Sequence, residues 1–396
     1  MKRLEESLVP LLPGGTYTSV PGTRIGVGQA AIKKKNVDDV VVLVAAGSAA
    51  GVTTLSTAAS APCLWTRSQL PGSCHAVVVN SGNANAATGS QGVADARAMA
   101  EAVAGVLGCE ATQVLVASTG VIGVPMPMDR VIPAVQSATR ELTADGHRAA
   151  QAILTTDLVA KEAAVCVDGM TIGGLAKGSG MIHPNMGTML AFLATDVSAP
   201  AAALQTLVEE MCERTFNAVT VDGDTSTSDI FTLQTTNQGR SIQPGTAEWA
   251  SFTSGLYSVC RHLARAIARD GEGATRLLTV QVEGLSDTDA RVAARAVARS
   301  PLVKTAVHGR DANWGRVVGA LGAAGVPGLD RLDLDLCGIP VLRRGTPVAF
   351  DEDVATQSMG ADEVVIYAKL PGSGFGEAWG CDLSAGYVSI NADYRS

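Results

Sequence analysis

The sequence predicts a mixed α/β fold in which helices cover β-sheets. Short valine-rich runs alternate with alanine-rich amphipathic stretches, and polar glycine-rich segments separate them. Of the 396 residues, 46% are hydrophobic, 17% are charged and only 4% are aromatic, so the core is built mainly from small aliphatic side chains. This is an ordinary globular composition. The length suggests two to three domains, or one large two-lobed domain.

The first half of the chain contains three predicted buried strands and two predicted helices. The strands are valine-rich apolar runs, whereas the helices show the spacing of one apolar face. The predicted strands are Val40–Ala46, His75–Asn80 and Val114–Ser118, and the predicted helices are Val93–Leu107 and Arg130–Leu142.

The second half repeats this alternation. The predicted strands are Met189–Thr195, Thr275–Gly284, Leu332–Gly338, Glu363–Leu370 and Tyr387–Tyr394, and the predicted helices are Pro200–Asn217, Ala250–Asp270 and Asp287–Ser300. Two glycine- and proline-rich segments, Val121–Met128 and Gly173–Gly187, are predicted to be irregular and to line a cleft.

Charge and cysteine content exclude several functional classes. The net charge of −8 is unsuited to a nucleic-acid partner, and the basic cluster Lys33–Lys35 is predicted to be a solvated turn. The start of the chain is not a secretory signal, and no window reaches the roughly 18 apolar residues of a membrane span. The eight cysteines and five histidines show no metal-ligand spacing. We therefore expect a cytoplasmic protein with reduced thiols, no metal site, no cofactor and no membrane partner.

Thr188 is a candidate nucleophile in the segment Lys177–Leu190, which reads KGSGMIHPNMGTML. A threonine hydroxyl needs a base beside it, and cleavage of the bond before Thr188 would supply its own α-amine, with a pKa near ~7.7. Gly187 has no Cβ, so its carbonyl is open to attack. The alternative interpretation is a loop threonine that caps the apolar run behind it.

Two polar strings follow predicted strands. Ser81–Gly89 reads SGNANAATG and is typical of a turn. Ser118–Arg130 contains Thr119 and Gly120, which could direct a hydroxyl and a backbone N–H to one point, as an oxyanion hole requires. The string by itself favours the alternative interpretation, a strand-terminating turn.

Two further strings combine carboxylates with hydroxyls. Thr155–Ala163 places two threonines beside Asp157, with Lys161 four residues on; a helix N-cap with a charge pair is the alternative. Val221–Asp229 reads VDGDTSTSD, and its spacing matches no calcium loop. We expect it to be a turn before a strand or the wall of a polar pocket.

Two remaining strings carry isolated charges. Glu272, between two glycines, could meet a substrate ammonium group or face solvent. Gly309–Arg316 has arginines around Trp314 and is suited to a carboxylate or an interface. The order KGSG at Lys177 differs from that of a phosphate-binding loop, which argues against a nucleotide site.

Taken together and in this order, these strings resemble the ornithine acetyltransferase family, also called glutamate N-acetyltransferases of the cyclic arginine pathway. The strings are VVNSGNANAATG, ASTGVIGVPMPMDR, AILTTDLVAKEA, AKGSGMIHPNMGTMLAFLATD, TFNAVTVDGDTSTSD, ARDGEGAT, GRDANWGR and WGCDLSAGYVSINADY. The resemblance extends from about residue 75 to the end of the chain.

The resemblance implies a two-lobed mixed α/β sandwich of the autoprocessed, N-terminal-nucleophile-like type. Cleavage between Gly187 and Thr188 would give an α chain (1–187) and a β chain (188–396) that remain together in an α2β2 or larger assembly. Thr188 would take an acetyl group from N2-acetylornithine and pass it to glutamate. Some members also use acetyl-CoA, and the sequence leaves that donor open.

The resemblance also implies roles for individual residues. Thr119 and Gly120 fall on the family's oxyanion-hole positions. The implied substrate-binding residues are Thr155, Lys177, Thr188, Glu272, Asn391 and Ser396.

Four departures from the family pattern keep other activities open. They are Gly187 in place of alanine, His183 in place of a small or acidic residue, Ser396 in place of threonine, and the stretch Thr53–Ser60. The alternatives are a paralogue with a different acyl acceptor, an N-terminal-threonine amidohydrolase, and an uncleaved binding or regulatory homologue.

Overall fold

Two mixed β-sheets with helices on their faces form the computed structural model, which describes residues 4–183 and 189–393. The strands are β1 (Arg24–Gly28), β2 (Val40–Thr53), β3 (Gly72–Asn83), β4 (Val114–Val121), β5 (Lys161–Val167), β6 (Met170–Lys177), β7 (Leu190–Thr195), β8 (Val219–Thr220), β9 (Ile230–Thr235), β10 (Leu277–Leu285), β11 (Asp333–Leu336), β12 (Ile339–Arg343), β13 (Thr346–Pro347), β14 (Glu363–Gly372) and β15 (Phe375–Cys381). The helices are α1 (Ala61–Gln69), α2 (Gly89–Leu107), α3 (Met128–Arg140), α4 (Gly146–Ala152), α5 (Ala201–Arg214), α6 (Ala247–Arg269), α7 (Asp287–Arg299), α8 (Pro301–Gly309), α9 (Trp314–Ala323), α10 (Glu352–Ser358) and α11 (Ala385–Asp393).

The first sheet has the strand order β4-β3-β2-β9-β7-β6-β5, with β1 also paired to β2. Its strands come from both sides of residue 188, because β7 pairs with β6 on one edge and with β9 on the other. The second sheet has the order β13-β12-β11-β14-β10-β15-β8. Parallel and antiparallel pairs occur in both sheets, which confirms the mixed α/β class.

Strand β2 bends the first sheet. Its early residues pair with β3, its later residues pair with β9, and the register shifts between Val44 and Gly47. Such a bulge bends a strand and increases its twist. Gly47 is required there because a Cβ would overlap the backbone oxygen of Thr235.

Helix α6 packs against both sheets and so joins the two lobes that the sheets form. It contacts β5 and β6 of the first sheet and β10 and β15 of the second. One shared apolar core therefore contains Val165 and Leu193 from the first sheet together with Trp379 from the second. Thr246 begins α6 by accepting a hydrogen bond from the backbone N–H of Trp249, as an N-cap does.

Most predicted elements are present. The long valine runs form β2, β3 and β4, whose core-facing side chains are fully buried. The predicted helices correspond to α2, α3, α5, α6 and α7 within a few residues at each end. Helix α2 begins at Gly89, three residues before the break expected at Gly92, because Gly92 packs inside its first turn, where a Cβ would overlap Thr88 and Asn85.

Three sequence-based expectations are wrong. Tyr387–Tyr394, expected as a strand, is helical as far as Asp393, where its described part ends. Thr155–Ala163 is not helical: a loop leads directly into β5. The residues from Gly173 to Lys177 lie in β6, so this irregular segment starts only at Gly178. The alternation of apolar and polar residues in Tyr387–Tyr394 indicates a strand only if one face is buried. The described part of this helix has no buried side chain, so the alternation predicted the wrong element.

Candidate active site

A cavity of about 110 Å³ lies where the ends of β4 and β6 meet the start of β7. Six of the predicted site residues line it: Thr119, Gly120, Thr155, Lys177, Glu272 and Asn391. The predicted site residues Gly187, Thr188 and Ser396 lie outside the described residues. Ile182 and Met189, which lie before and after residues 184–188, also line the cavity.

Lys177 connects the two sides of the cavity. Its Nζ donates a hydrogen bond to Thr155 Oγ1 at 2.7 Å and another to Thr119 Oγ1 at 3.1 Å. In the strand order four strands separate β4, which carries Thr119, from β6, which carries Lys177. A contact across four intervening strands requires the sheet to curve.

The direction of these hydrogen bonds decides what the two threonines can do. An ammonium group only donates, so both hydroxyl oxygens act as acceptors toward Lys177. Each hydroxyl keeps its own hydrogen for another acceptor. Thr119 and Thr155 can therefore both donate to a substrate oxygen in the cavity.

Burial lowers the pKa of Lys177, and the carboxylate of Asp157, 3.9 Å away, acts in the opposite direction. Burial alone would raise the pKa of Asp157, but the ammonium groups of Lys177 and Lys161 outweigh it and hold this pKa at about 2. Asp157 Oδ1 also accepts a hydrogen bond from the backbone N–H of Gly178 at 2.6 Å. This hydrogen bond holds the backbone of Gly178, the residue that follows Lys177.

A buried ion network lies behind the cavity. Lys161 Nζ, with a fully buried side chain, donates to Asp157 Oδ1 at 2.7 Å and to Asp270 Oδ2 at 2.6 Å. The predicted pairing of Asp157 with Lys161 is therefore present, although the predicted helix is not. Asp270, at the end of α6, was not identified from the sequence as part of the site. The network connects the loop before β5 to the loop that carries Glu272.

Gly120 occupies a position that only glycine can fill. Its φ is +130°, and a Cβ would overlap the backbone of Gly82 on β3. The register of β3 against β4 shifts between Gly82 and Asn83. This irregularity ends the regular ladder beside Thr119 and leaves Thr119 and Gly120 on the cavity wall.

Glu272 is buried, which excludes the alternative that its carboxylate faces solvent. Its Oε2 accepts a hydrogen bond from Asn391 Nδ2 at 2.8 Å, and its backbone N–H donates to the carbonyl of Ser179 at 3.0 Å. A Cβ on Gly180 would occupy the place of this carboxylate. The cavity is therefore cationic at Lys177 and carries a buried carboxyl group at Glu272.

The VDGDTSTSD string (Val221–Asp229) forms hydrogen bonds with the segment Met181–His183. Asp222 accepts hydrogen bonds from the backbone N–H groups of Met181 at 2.6 Å and Ile182 at 2.9 Å. Thr225 Oγ1 donates to the carbonyl of His183 at 2.8 Å. Both expectations for this string are met, since it precedes β9 and contributes Ser226–Asp229 to the cavity wall.

Asp229 is a site residue that the sequence did not single out. Burial raises its pKa well above the ordinary value, while hydrogen bonds from Ser226 and Thr54 and the charge of Lys177 act in the opposite direction. Its Oδ2 is buried and has no hydrogen-bond partner among the described residues. The next residue, Ile230, donates its backbone N–H to the carbonyl of Met189 at 2.9 Å. A buried carboxyl group thus lies next to the strand that follows Thr188.

The remaining predicted features lie outside the cavity. Arg310 and Arg316 do not line the cavity; Arg316 donates to the carbonyl of Leu302 at 2.8 Å. Lys34 and Lys35 are exposed in a turn, as predicted. The prediction is wrong for Lys33, which is half-buried because its Nζ donates to the carbonyls of Ala152 at 3.1 Å and Leu154 at 2.8 Å. Across residues 4–183 and 189–393 the cysteines are free, and no cluster of metal-ligating side chains occurs. None of the helices in the same ranges combines the length and hydropathy of a membrane span.

Comparison with protein families gives a match over most of the chain. The model of the ArgJ family matches residues 24–396. The arginine biosynthesis bifunctional protein ArgJ of Symbiobacterium thermophilum is 49% identical over 362 residues, covering 88% of this chain and 90% of that protein. The protein of the same name from Dehalococcoides mccartyi is 44% identical over 405 residues, covering 99% of this chain and 100% of that protein.

The chain is also similar to a solved structure. The crystal structure of the arginine biosynthesis bifunctional protein ArgJ from Bacillus halodurans superposes with a TM-score of 0.50 and is 40% identical. The superposition covers 51% of this chain and 98% of that one. The solved chain is therefore about half as long as the present chain.

Proposed function

The chain belongs to the ArgJ family, and we propose that it is a self-cleaving acyltransferase that moves acetyl from N2-acetylornithine to glutamate through an acetyl ester of Thr188. The observation that carries the proposal is the set of hydrogen bonds by which Lys177 holds Thr119 and Thr155 on one cavity wall. Glu272 on the same cavity supplies a carboxyl group for the ammonium end of an amino acid.

Self-cleavage would create the catalytic base. The Thr188 hydroxyl attacks the Gly187 carbonyl, the peptide C–N bond breaks and an ester forms. Water then hydrolyses that ester, leaving Gly187 as a carboxylate and Thr188 with a free α-amine. The half-length chain of the Bacillus halodurans structure supports such a cut, since the bond 187–188 divides this chain near its middle.

The two products would remain one molecule. Strands β6 and β7 lie on opposite sides of the proposed cut and pair from Lys177–Leu190 to Ile172–Thr195. Separating an α chain (1–187) from a β chain (188–396) would break this ladder and divide the core shared through α6. We expect the pair to assemble further as α2β2 or larger.

In the first half-reaction the Thr188 oxygen would bond to the acetyl carbon while its proton passes to the Thr188 amine. The C–N bond of N2-acetylornithine then breaks, and that proton moves to the departing nitrogen of ornithine. The negative oxygen of the tetrahedral intermediate would accept hydrogen bonds from the Thr119 hydroxyl and the Gly120 backbone N–H.

The second half-reaction would reverse the order. The glutamate amine attacks the acetyl ester and loses a proton to the Thr188 amine. The C–O bond breaks, and the proton returns to the Thr188 oxygen. Both substrates are α-amino acids, so Lys177 and Thr155 would bind the α-carboxylate of each in turn.

The proposal is tested on the purified chain. We expect a denaturing gel to show two fragments near half of 40.4 kDa, the second beginning at Thr188. With N2-acetylornithine alone, the second fragment should gain the mass of one acetyl group, and addition of glutamate should yield N-acetylglutamate. Thr188→Ala should abolish both cleavage and transfer.

Each alternative has its own outcome in the same assay. Release of free acetate faster than acyl transfer would identify an amidohydrolase. Transfer to another amine but not to glutamate would identify a paralogue. A single 40.4 kDa band without transfer would identify a binding or regulatory protein. Acetyl-CoA with glutamate, in a parallel reaction, decides whether that donor is used.

A further inference from the structure

A second, apolar groove of about 310 Å³ adjoins the catalytic cavity. Ile122 and Thr227 line both spaces, so the groove lies directly beside the site. Ile122 lies two residues after Gly120. The groove therefore starts beside the predicted oxyanion hole.

The groove is lined almost entirely by methyl groups. Its walls include Ala58, Leu64, Ala86, Ala87 and Val93, and among the lining residues only two threonines bring a polar side chain. Leu64 and Val93 are about half exposed, at 48% and 52%. Within the part of the chain that the structure describes, no charged side chain lines this groove that could bind the carboxylate or ammonium end of an amino acid. Its surface suits an alkyl chain.

One wall of the groove is a rigid loop formed by the SGNANAATG string. Asn85 and Ala87 have positive φ, 47° and 56°, which is uncommon for alanine. Asn85 holds this conformation: its Nδ2 donates to the carbonyl of Gly92 at 2.9 Å, and its Oδ1 accepts from Thr88 Oγ1 at 2.7 Å. Such strain persists only where the surroundings fix it, and it concentrates at ligand-binding sites. These hydrogen bonds fix the loop that forms this wall of the groove.

We propose that this groove binds the alkyl chain of the acyl group, so that the enzyme transfers acyl groups longer than acetyl from the α-amine of the donor amino acid. The inference rests on the proposed function. With the acyl oxygen at Thr119 and Gly120, a longer acyl chain would enter the groove past Ile122, which lines both spaces. Bond making and breaking are those of acetyl transfer: the acyl carbon moves from the donor nitrogen to the Thr188 oxygen and then to the acceptor amine.

The test compares N2-acetylornithine with N2-butanoylornithine, with glutamate as acceptor. We expect kcat/KM for butanoyl to exceed that for acetyl, by up to roughly fourfold per buried methylene. Ala58→Phe, at an exposed position on the groove, should lower the butanoyl-to-acetyl ratio at least tenfold while leaving acetyl transfer intact. Ala94→Phe, also exposed and on α2 but outside the lining, is the matched control and should change neither value.

The acetyl reaction separates the two proposals. Loss of acetyl transfer in the unmodified chain overturns the proposed function. Acetyl transfer with butanoyl rejected more than a hundredfold overturns the groove assignment, as does an equal effect of Ala58→Phe and Ala94→Phe on the ratio. Should Ala58→Phe instead dissociate an oligomer and leave the ratio unchanged, the groove is an interface between copies and the assignment is wrong.

Discussion

Asn391 on α11 donates its side-chain N–H to Oε2 of Glu272 at 2.8 Å, although 119 positions separate the two residues. The contact brings the last described helix to the cavity. The described residues of α11 have no buried side chain, so hydrogen bonds must hold this helix at the site. One is the contact with Glu272, and another joins Ser384 Oγ, just before the helix, to the carbonyl of Gly273 at 2.6 Å.

Asn391→Ala should weaken substrate binding without loosening the fold. Asn391 is exposed, so we expect an unchanged Tm, whereas KM for the amino-acid substrates should rise about tenfold because a hydrogen bond to a carboxylate is lost. Steady-state kinetics and thermal unfolding measure the two effects. Ser389→Ala on the same helix is the control, and an equal rise in its KM would show that the helix acts only as a unit.

Thr119→Val should lower kcat about 10²–10³-fold, because it removes one donor to the oxyanion. Thr119→Ser should restore most of the rate. Thr155→Val also removes an acceptor of Lys177, yet this hydroxyl is assigned to the carboxylate, so its main effect should be on KM. Equal losses of kcat in Thr119→Val and Thr155→Val would argue against an oxyanion hole at Thr119.

Asp157 should stabilise the fold down to strongly acidic pH. Its folded pKa of about 2 is lower than the ~3.9 of an unfolded aspartate, so its contribution is complete above pH ~4 and disappears as pH falls toward 2. The Tm difference between the unmodified chain and Asp157→Asn should therefore be constant from pH 7 to 5 and shrink below 4. Glu101→Gln, which removes an exposed pair with Arg97, should change Tm little at any of these pH values. If the Tm difference between the unmodified chain and Asp157→Asn grew as the pH fell, the lowered pKa of Asp157 would be contradicted.

Acyl transfer should rise with pH through the pKa of the Thr188 amine, nominally ~7.7 and lower if the amine is buried. The neighbouring His183 cannot produce this rise, because burial, together with Arg295 and Arg299, lowers its pKa to about 4. His183→Gln should keep the midpoint of the pH–rate profile. A midpoint that vanishes in this variant would make His183 the base.

The sequence predicted buried elements more accurately than exposed ones. The runs in β2, β3 and β4 were identified correctly because long valine-rich stretches are stable only inside a sheet. Tyr387–Tyr394 was assigned wrongly because an exposed segment has no buried face to set its period. The charge pair of Asp157 and Lys161 was found through its spacing of four, although that spacing belongs here to a loop and not to a helix.

The sequence by itself determined the α/β class and the chemical groups of the site, since residue types and their order along the chain carry that information directly. Only the tertiary structure decided which groups meet. Lys177 reaches Thr119 across four intervening strands, Asp270 at the end of α6 pairs with Lys161 behind the cavity, and Asp229 is buried on the cavity wall. Such contacts follow from the path of the whole chain, and local periodicity records nothing of that path.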